Sequence, residues 1–189
     1  MTGTGWGARG EPIDAGIGLR HERRFLLPSL PRTLATGTAM LVEERYLAGT
    51  RLRLRRMICP AVGGPGELTI GQRVRTATDR ISRVTLTGRL TEPEYAVLAR
   101  LPADLLVWRR YGVNLSGRRC SVDVFEGELA GLVLAHAAFQ SLTEAWWFEP
   151  PVYAVAEVTG DDRFWEEELA RTSAARLAAV VERYGMLLR

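Results

Sequence analysis

Arg51, Arg53 and Arg55 alternate along one short stretch, Tyr46-Leu47-Ala48-Gly49-Thr50-Arg51-Leu52-Arg53-Leu54-Arg55. On an extended strand, side chains two apart share a face, so the three arginines point one way and Leu52 and Leu54 the other. The same alternation turns Arg20 and Arg24, Arg73 and Arg75, Arg80 or Arg83, and Arg110 to one face of their own segments. All 25 cationic residues are arginine and none is lysine. A guanidinium stays charged and offers paired N–H donors that match phosphate oxygens. On one edge strand, three such groups are an ordinary solvated face. Projected from several strands into one lumen, they make a positive interior that is stable only with acidic partners or a bound anion. A condensed phosphate chain is the natural ligand, and Arg24, Arg51, Arg53, Arg55, Arg73 and Arg110 are the residues predicted to hold it.

The elements that must position these groups are mostly strands. Leu19–Leu27 reads as a strand with Arg20, Glu22 and Arg24 on one face, and Pro28 and Pro31 break it. Residues 33–44 fit a short helix or a strand equally. Arg45–Met57 reads as the clearest strand, and Gly63-Gly64-Pro65-Gly66 as a turn. Glu67–Arg75 and Arg80–Leu90 form a hairpin pair. Thr91 caps a helix that Glu94 completes as a capping box and that Leu101-Pro102 ends. Four strands follow, Leu105–Tyr111, Arg119–Phe125, Leu132–Phe139 and Val152–Val158, with Gly127 and Gly131 flanking one turn. A long amphipathic helix, Asp162–Leu188, ends the chain, its apolar stripe carried by Phe164, Leu169, Leu177, Val181 and Leu188. The pattern predicts an α+β fold: an eight-stranded antiparallel β-barrel with a polar lumen, flanking helices and a C-terminal amphipathic helix.

The bulk numbers agree with one compact unit. The chain has 189 residues, 47% of them hydrophobic and 25% charged. Residues 1–16 read as a flexible tail and 17–189 as a single domain. No run of 18 apolar residues exists, which excludes a transmembrane helix. The first residues lack a signal-peptide core, and Cys59 and Cys120 stand alone without metal-ligand spacing, so the chain reads as cytoplasmic with both thiols reduced. A net charge of +3 without an aromatic-basic platform argues against nucleic acid.

The ordered motifs resemble the CYTH superfamily, the triphosphate tunnel metalloenzymes. The resemblance spans about residues 17–172. It rests on Arg20-His21-Glu22-Arg23-Arg24-Phe25-Leu26, Tyr46-Leu47 with Arg51–Arg55, Gly71-Gln72-Arg73, Glu94-Tyr95 and Trp108-Arg109-Arg110-Tyr111. Val122-Asp123-Val124-Phe125-Glu126-Gly127-Glu128-Leu129-Ala130-Gly131-Leu132, Glu157-Val158-Thr159 and Asp162-Arg163-Phe164 complete it. It implies a barrel whose cations hold a triphosphate and whose glutamates hold one or two divalent ions that activate water or polarise the phosphoryl group. Superfamily members are often monomers or dimers, so a homodimer is compatible with it.

The departures fall on the expected metal ligands. Arg20 stands where the opening motif has its first glutamate, His136 and Ala138 stand at the later Glu-x-Glu pair, and Trp108 replaces a lysine. Glu22, Asp123 and Glu157 are the remaining candidate ligands for Mg²⁺ or Mn²⁺, an incomplete set, with Glu22 also the catalytic candidate. His136 is either a ligand for a softer ion or a hydrogen-bonded interior histidine. Trp108 either stacks or fills volume. Trp146-Trp147-Phe148 is either a plug at one barrel mouth or an exposed patch. The expected function is binding of a phosphate-rich small molecule, nucleotide or inorganic, with weak or lost metal-dependent hydrolysis. The alternatives are an active metal-dependent triphosphatase or cyclase-like enzyme, and a non-catalytic protein-interaction scaffold.

Overall fold

The computed structural model describes residues 16–31, 38–63, 66–75, 79–115 and 117–188. The strands are β1 (Gly16–Leu27), β2 (Ala39–Leu47), β3 (Arg53–Ile58), β4 (Glu67–Arg75), β5 (Ser82–Arg89), β6 (Ala103–Leu115), β7 (Arg118–Phe125), β8 (Val133–Phe139) and the two-residue β9 (Ala156–Glu157). They form one sheet in the order β5-β4-β3-β2-β6-β7-β8-β1-β9, and β5 pairs back onto β1. Every pairing is antiparallel, so β1 to β8 close into an eight-stranded barrel. β9 continues along β1 beyond the point where β5 leaves it. The expected α+β barrel is present, and the segment that fitted helix or strand equally contributes β2.

Alternation decides what faces the lumen. On β1, β6, β7 and β8 the inward positions change character along the strand. Toward one end they are polar: Glu22, Arg24, Arg110, Asp123 and His136. Toward the other they are Leu26, Trp108, Phe125 and Leu134, members of one buried apolar cluster. Trp108 is fully buried and lies 5.8 Å from Phe125, centroid to centroid, so it fills volume in a dry floor.

The C-terminal region differs from the expected continuous helix. A 3-10 turn (Asp162–Phe164), α3 (Glu166–Leu169) and α4 (Ala174–Glu182) replace it. Two earlier helices are α1 (Glu92–Leu98), where Glu94 accepts from the Thr91 N–H at 2.8 Å, and α2 (Leu142–Trp147). The break before α3 is Trp165, which is extended at φ −80° and ψ 140°. The segment is held against β1, where Val158 N–H donates to the Arg24 carbonyl at 2.8 Å and the Arg24 N–H donates to Thr159 Oγ1 at 2.9 Å. The apolar stripe of Phe164, Leu169, Leu177 and Val181 packs into the barrel's apolar cluster and closes that end.

Three further expectations change. Arg45–Met57 is not one strand: β2 ends at Leu47, a turn with Gly49 at φ +72° follows, and β3 starts at Arg53. Val152–Val158 shrinks to β9. Trp146 and Trp147 are 70% and 84% exposed, so they plug nothing, while Phe148 packs on Phe25 and Phe139. The tail reading over residues 1–15 lies outside the described residues, and Gly16 already belongs to β1. Cys59 and Cys120 are free thiols. Among the described residues no helix is long and apolar enough to cross a membrane.

Barrel closure brings β4 and β5 close enough that a Cβ on Gly71 would lie 2.6 Å from the Leu86 carbonyl oxygen. Gly71→Ala is therefore expected to cost about 1–3 kcal/mol of stability. Urea denaturation should show a lower midpoint with an unchanged slope.

Candidate functional site

Among the described residues, six guanidiniums from five strands meet in the polar half of the lumen. They are Arg24 (β1), Arg53 and Arg55 (β3), Arg73 (β4), Arg83 (β5) and Arg110 (β6). Four of the six are less than a tenth exposed, Arg24 fully buried, and the side chains of Arg73 and Arg110 are 17% and 19% exposed. Four carboxylates meet them: Glu22, Glu44, Asp123 and Glu166.

Each carboxylate gathers its own arginines. Glu44 on β2 is fully buried and accepts from Arg53, from the Arg55 Nε at 2.6 Å and from the Tyr46 hydroxyl. Its strand register with Arg55 is direct, so the pair is set by the β2–β3 ladder. Asp123 accepts two bonds from Arg110, at 2.7 and 2.6 Å, again from the directly opposed residue of the neighbouring strand. Glu166 enters from below on α3. It accepts from Arg24 Nη2 at 3.0 and 2.8 Å and lies 2.7 Å from Arg73 Nη1. Glu22 accepts from Arg24 Nε at 2.8 Å and lies 3.4 Å from Arg83.

Arg83 is the exception. Its side chain is 2% exposed, yet none of its three guanidinium nitrogens makes a hydrogen bond. The group stacks 4.2 Å from the Trp165 ring centroid, on the same indole that Arg24 approaches at 5.1 Å. Burial, with Arg24 and Arg73 nearby, pushes its pKa down to about 10 against the pull of Glu22. Burial and neighbouring arginines likewise push Arg55 down to about 9. Arg24, Arg73 and Arg110 shift the other way, because Glu166, Glu22 and Asp123 outweigh the burial of their charges.

His136 on β8 lies between two acids, with Nδ1 3.3 Å from Glu22 and Nε2 3.2 Å from Asp123. Burial disfavours the imidazolium, but Asp123 and Glu22 outweigh it and raise the pKa. Burial would likewise raise Asp123, yet Arg110 and His136 hold it at about 2. For Glu22, Arg83, Arg24 and His136 overcome burial and keep the carboxyl well below the usual range.

The mouth of the lumen opens at the other end from the apolar floor. A cavity of about 570 Å³ there is lined by Glu22, Arg110 and His136 at its base and by Arg118 and Arg119 nearer solvent.

The sequence-derived residues divide as follows. Arg24, Arg53, Arg55, Arg73, Arg110, Glu22 and Asp123 share the lumen. Arg51 lies apart from them in the β2–β3 turn and is solvent-exposed, lining a second recess of 170 Å³ together with the lumen residues Arg53, Arg73 and Glu166. Glu157 also stands apart. It takes two bonds from Arg23, at 2.9 and 2.5 Å, on the outer face of β1, opposite in parity to Glu22 and Arg24. Glu44 and Glu166 are the acids that sequence reasoning missed. Glu44 sits where helix and strand fitted equally, and Glu166 lies in what reads as a continuous helix.

The donor set for a hard divalent cation is incomplete. Among the described residues no three His, Cys, Asp or Glu side chains converge to hold a metal. Glu22 and Asp123 are separated by the His136 ring, and each is already engaged by arginine. Mg²⁺ and Mn²⁺ require carboxylate oxygens free to coordinate.

No family model matches the sequence, and neither does any curated protein. Solved structures do match. A structure of the inorganic triphosphatase NE1496 aligns with a TM-score of 0.53 at 22% identity, over 81% of this chain and 95% of that one. A second structure of NE1496, described as a hypothetical protein, aligns with a TM-score of 0.54 at 22% identity, over 82% and 99%. A candidate adenylate cyclase from Bacillus halodurans aligns at 0.46 and 11% identity, over 92% and 94%. This chain has the triphosphate-tunnel (CYTH) fold. The resemblance carried by the motifs is thus borne out as a fold, and the lumen described above is its tunnel.

Two titrations bound the tunnel's stability. The raised His136 contributes stability that is complete below its unfolded value near 6.5 and is lost as pH rises through its folded value. The depressed Asp123 contributes about 2 kcal/mol that is present above its unfolded value and is lost as pH falls toward about 2. Thermal melts across pH should therefore show a decline above neutrality that His136→Gln removes. A profile that stays flat there in the wild type contradicts the assignment.

Proposed function

We propose that the tunnel binds a triphosphate- or polyphosphate-type anion, inorganic or part of a nucleotide, through its interior arginines. The observation that carries this reading is Arg83, a buried guanidinium with three nitrogens that no protein group hydrogen-bonds. A buried donor without a hydrogen-bond partner is costly, and the ion pair with Glu22 at 3.4 Å leaves these donors unmet. Six guanidiniums facing four carboxylates make the same point for the cluster as a whole. A multivalent oxyanion supplies both the missing charge and the missing acceptors. It would enter past Arg118 and Arg119, whose field draws anions toward the mouth.

In this reading the protein binds without needing a metal, and hydrolysis is weak or absent. Glu22 and Asp123 are the acids nearest the cavity, and both are committed to arginine and His136 rather than free to coordinate an ion or orient a water. NE1496 is named an inorganic triphosphatase, so a phosphate-rich ligand suits the shared fold.

Calorimetric titration of tripolyphosphate and of ATP, each with and without Mg²⁺, tests the reading directly, with phosphate release measured on the same samples. Binding without Mg²⁺ and without turnover is expected. Arg83→Gln should weaken it by at least about tenfold, the equivalent of one charge-assisted bond of ~1.4 kcal/mol. Metal-dependent turnover abolished by Glu22→Gln would identify a working phosphohydrolase instead. No binding of any such anion would leave the barrel as a scaffold.

A further inference from the structure

We propose that Glu166 is a chain-supplied anion that fills the innermost phosphate subsite of the tunnel and so restricts the interior ligand to a short, diphosphate-class anion. This rests on the anion-binding reading above and adds which anion.

Glu166 is unlike the other interior acids. Glu22, Glu44 and Asp123 belong to barrel strands, whereas Glu166 is carried in by the segment that closes the apolar end. The extended Trp165 is what turns it inward: the next two residues, Glu167 and Glu168, are exposed while Glu166 is 2% exposed. Both of its carboxylate oxygens accept from the one nitrogen Arg24 Nη2, and one of them also lies 2.7 Å from Arg73 Nη1, so the carboxylate supplies two guanidiniums with the oxygens that a phosphate would otherwise offer.

The consequence is which donors stay open. Arg24 is engaged at all three nitrogens: Nε goes to Glu22 at 2.8 Å, Nη1 to the Phe164 carbonyl at 2.9 Å, and Nη2 to Glu166. Arg53 and Arg55 are drawn to Glu44. Arg110 gives Nε and Nη2 to Asp123. Arg83 alone among the six keeps all three nitrogens without a hydrogen bond. An anion entering from the mouth meets Arg110, which lines the cavity, and can direct its next phosphoryl group toward Arg83, 3.4 Å from the cavity-lining Glu22. A third group reaching deeper would meet the Glu166 carboxylate, a like charge in a water-poor site.

The test is a length series of orthophosphate, pyrophosphate and tripolyphosphate, titrated calorimetrically in metal-free buffer at fixed pH and ionic strength. Wild-type protein should bind pyrophosphate and tripolyphosphate with dissociation constants within about threefold of each other, a difference below ~0.7 kcal/mol. Glu166→Gln keeps the shape, removes the charge and frees the arginines. It should tighten tripolyphosphate by at least about tenfold and pyrophosphate much less. Glu168→Gln, on the exposed face, makes the same charge change outside the tunnel and should alter neither. The wild-type series needs no variant, so it decides even where Glu166→Gln fails to fold. Wild-type preference for tripolyphosphate by tenfold or more, or an unchanged preference in folded Glu166→Gln, overturns the role of Glu166 while leaving anion binding intact. Failure of all three anions to bind overturns both.

Discussion

A guanidinium cannot be stripped of water inside a protein unless something negative takes the water's place. That requirement organises this barrel. Its acids are not scattered through the lumen but set in the ladder itself: Glu44 is directly opposite Arg55, and Asp123 directly opposite Arg110. Side chains alternate with a period of two, so slipping either ladder by one residue would turn arginine and carboxylate to opposite faces of the sheet. Breaking such a pair by removing one member leaves an uncompensated interior charge, which typically costs about 3–5 kcal/mol. The ion pairs thus specify register even where their net contribution to stability is small.

The apolar floor and the ionic half depend on each other. Leu26, Trp108, Phe125 and Leu134 continue the inward faces that carry Arg24, Arg110, Asp123 and His136, and the C-terminal segment packs onto them from below. Excluding water at that end lowers the local dielectric and strengthens every charged contact above it. The same segment then delivers Glu166 into the space it has dried. Closure of the barrel and charge compensation are therefore performed by one stretch, residues 158–169, anchored to β1 through Arg24.

This division explains what the sequence made legible. Strands β1, β4, β5, β7 and β8 stand out because each alternates cleanly and is bounded by Gly, Pro or a capped helix. The lumen arginines follow from the same period. Arg51 fails because alternation continues unbroken through Thr50-Arg51-Leu52 while the backbone turns at Gly49, and periodicity carries no information about a turn that preserves it. The C-terminal helix fails for a tertiary reason: its apolar stripe is real, but Phe164 and Leu169 must reach the barrel floor on either side of an extended Trp165. Glu157 shares its strand's neighbourhood with the tunnel but falls on the outward parity, which only the β1–β9 register reveals. Glu44 and Glu166 carry no local signal, because an acid is recognisable as interior only once its arginines are seen around it.

The absence of lysine gains a physical meaning from this interior. Burial and mutual repulsion bring even arginines down, Arg83 to about 10 and Arg55 to about 9. Both still carry full charge at neutral pH. A lysine starts roughly two units lower, near 10.4. The same surroundings would push it down as well, toward the range in which an ammonium begins to lose its proton. Such a group would relieve its own burial by neutralising, and the tunnel would lose the excess positive charge that makes an oxyanion welcome. Arginine cannot escape in this way. Whatever brought the composition about, its effect in this lumen is that the charge deficit persists, and only an anion, whether Glu166 or a ligand, can satisfy it.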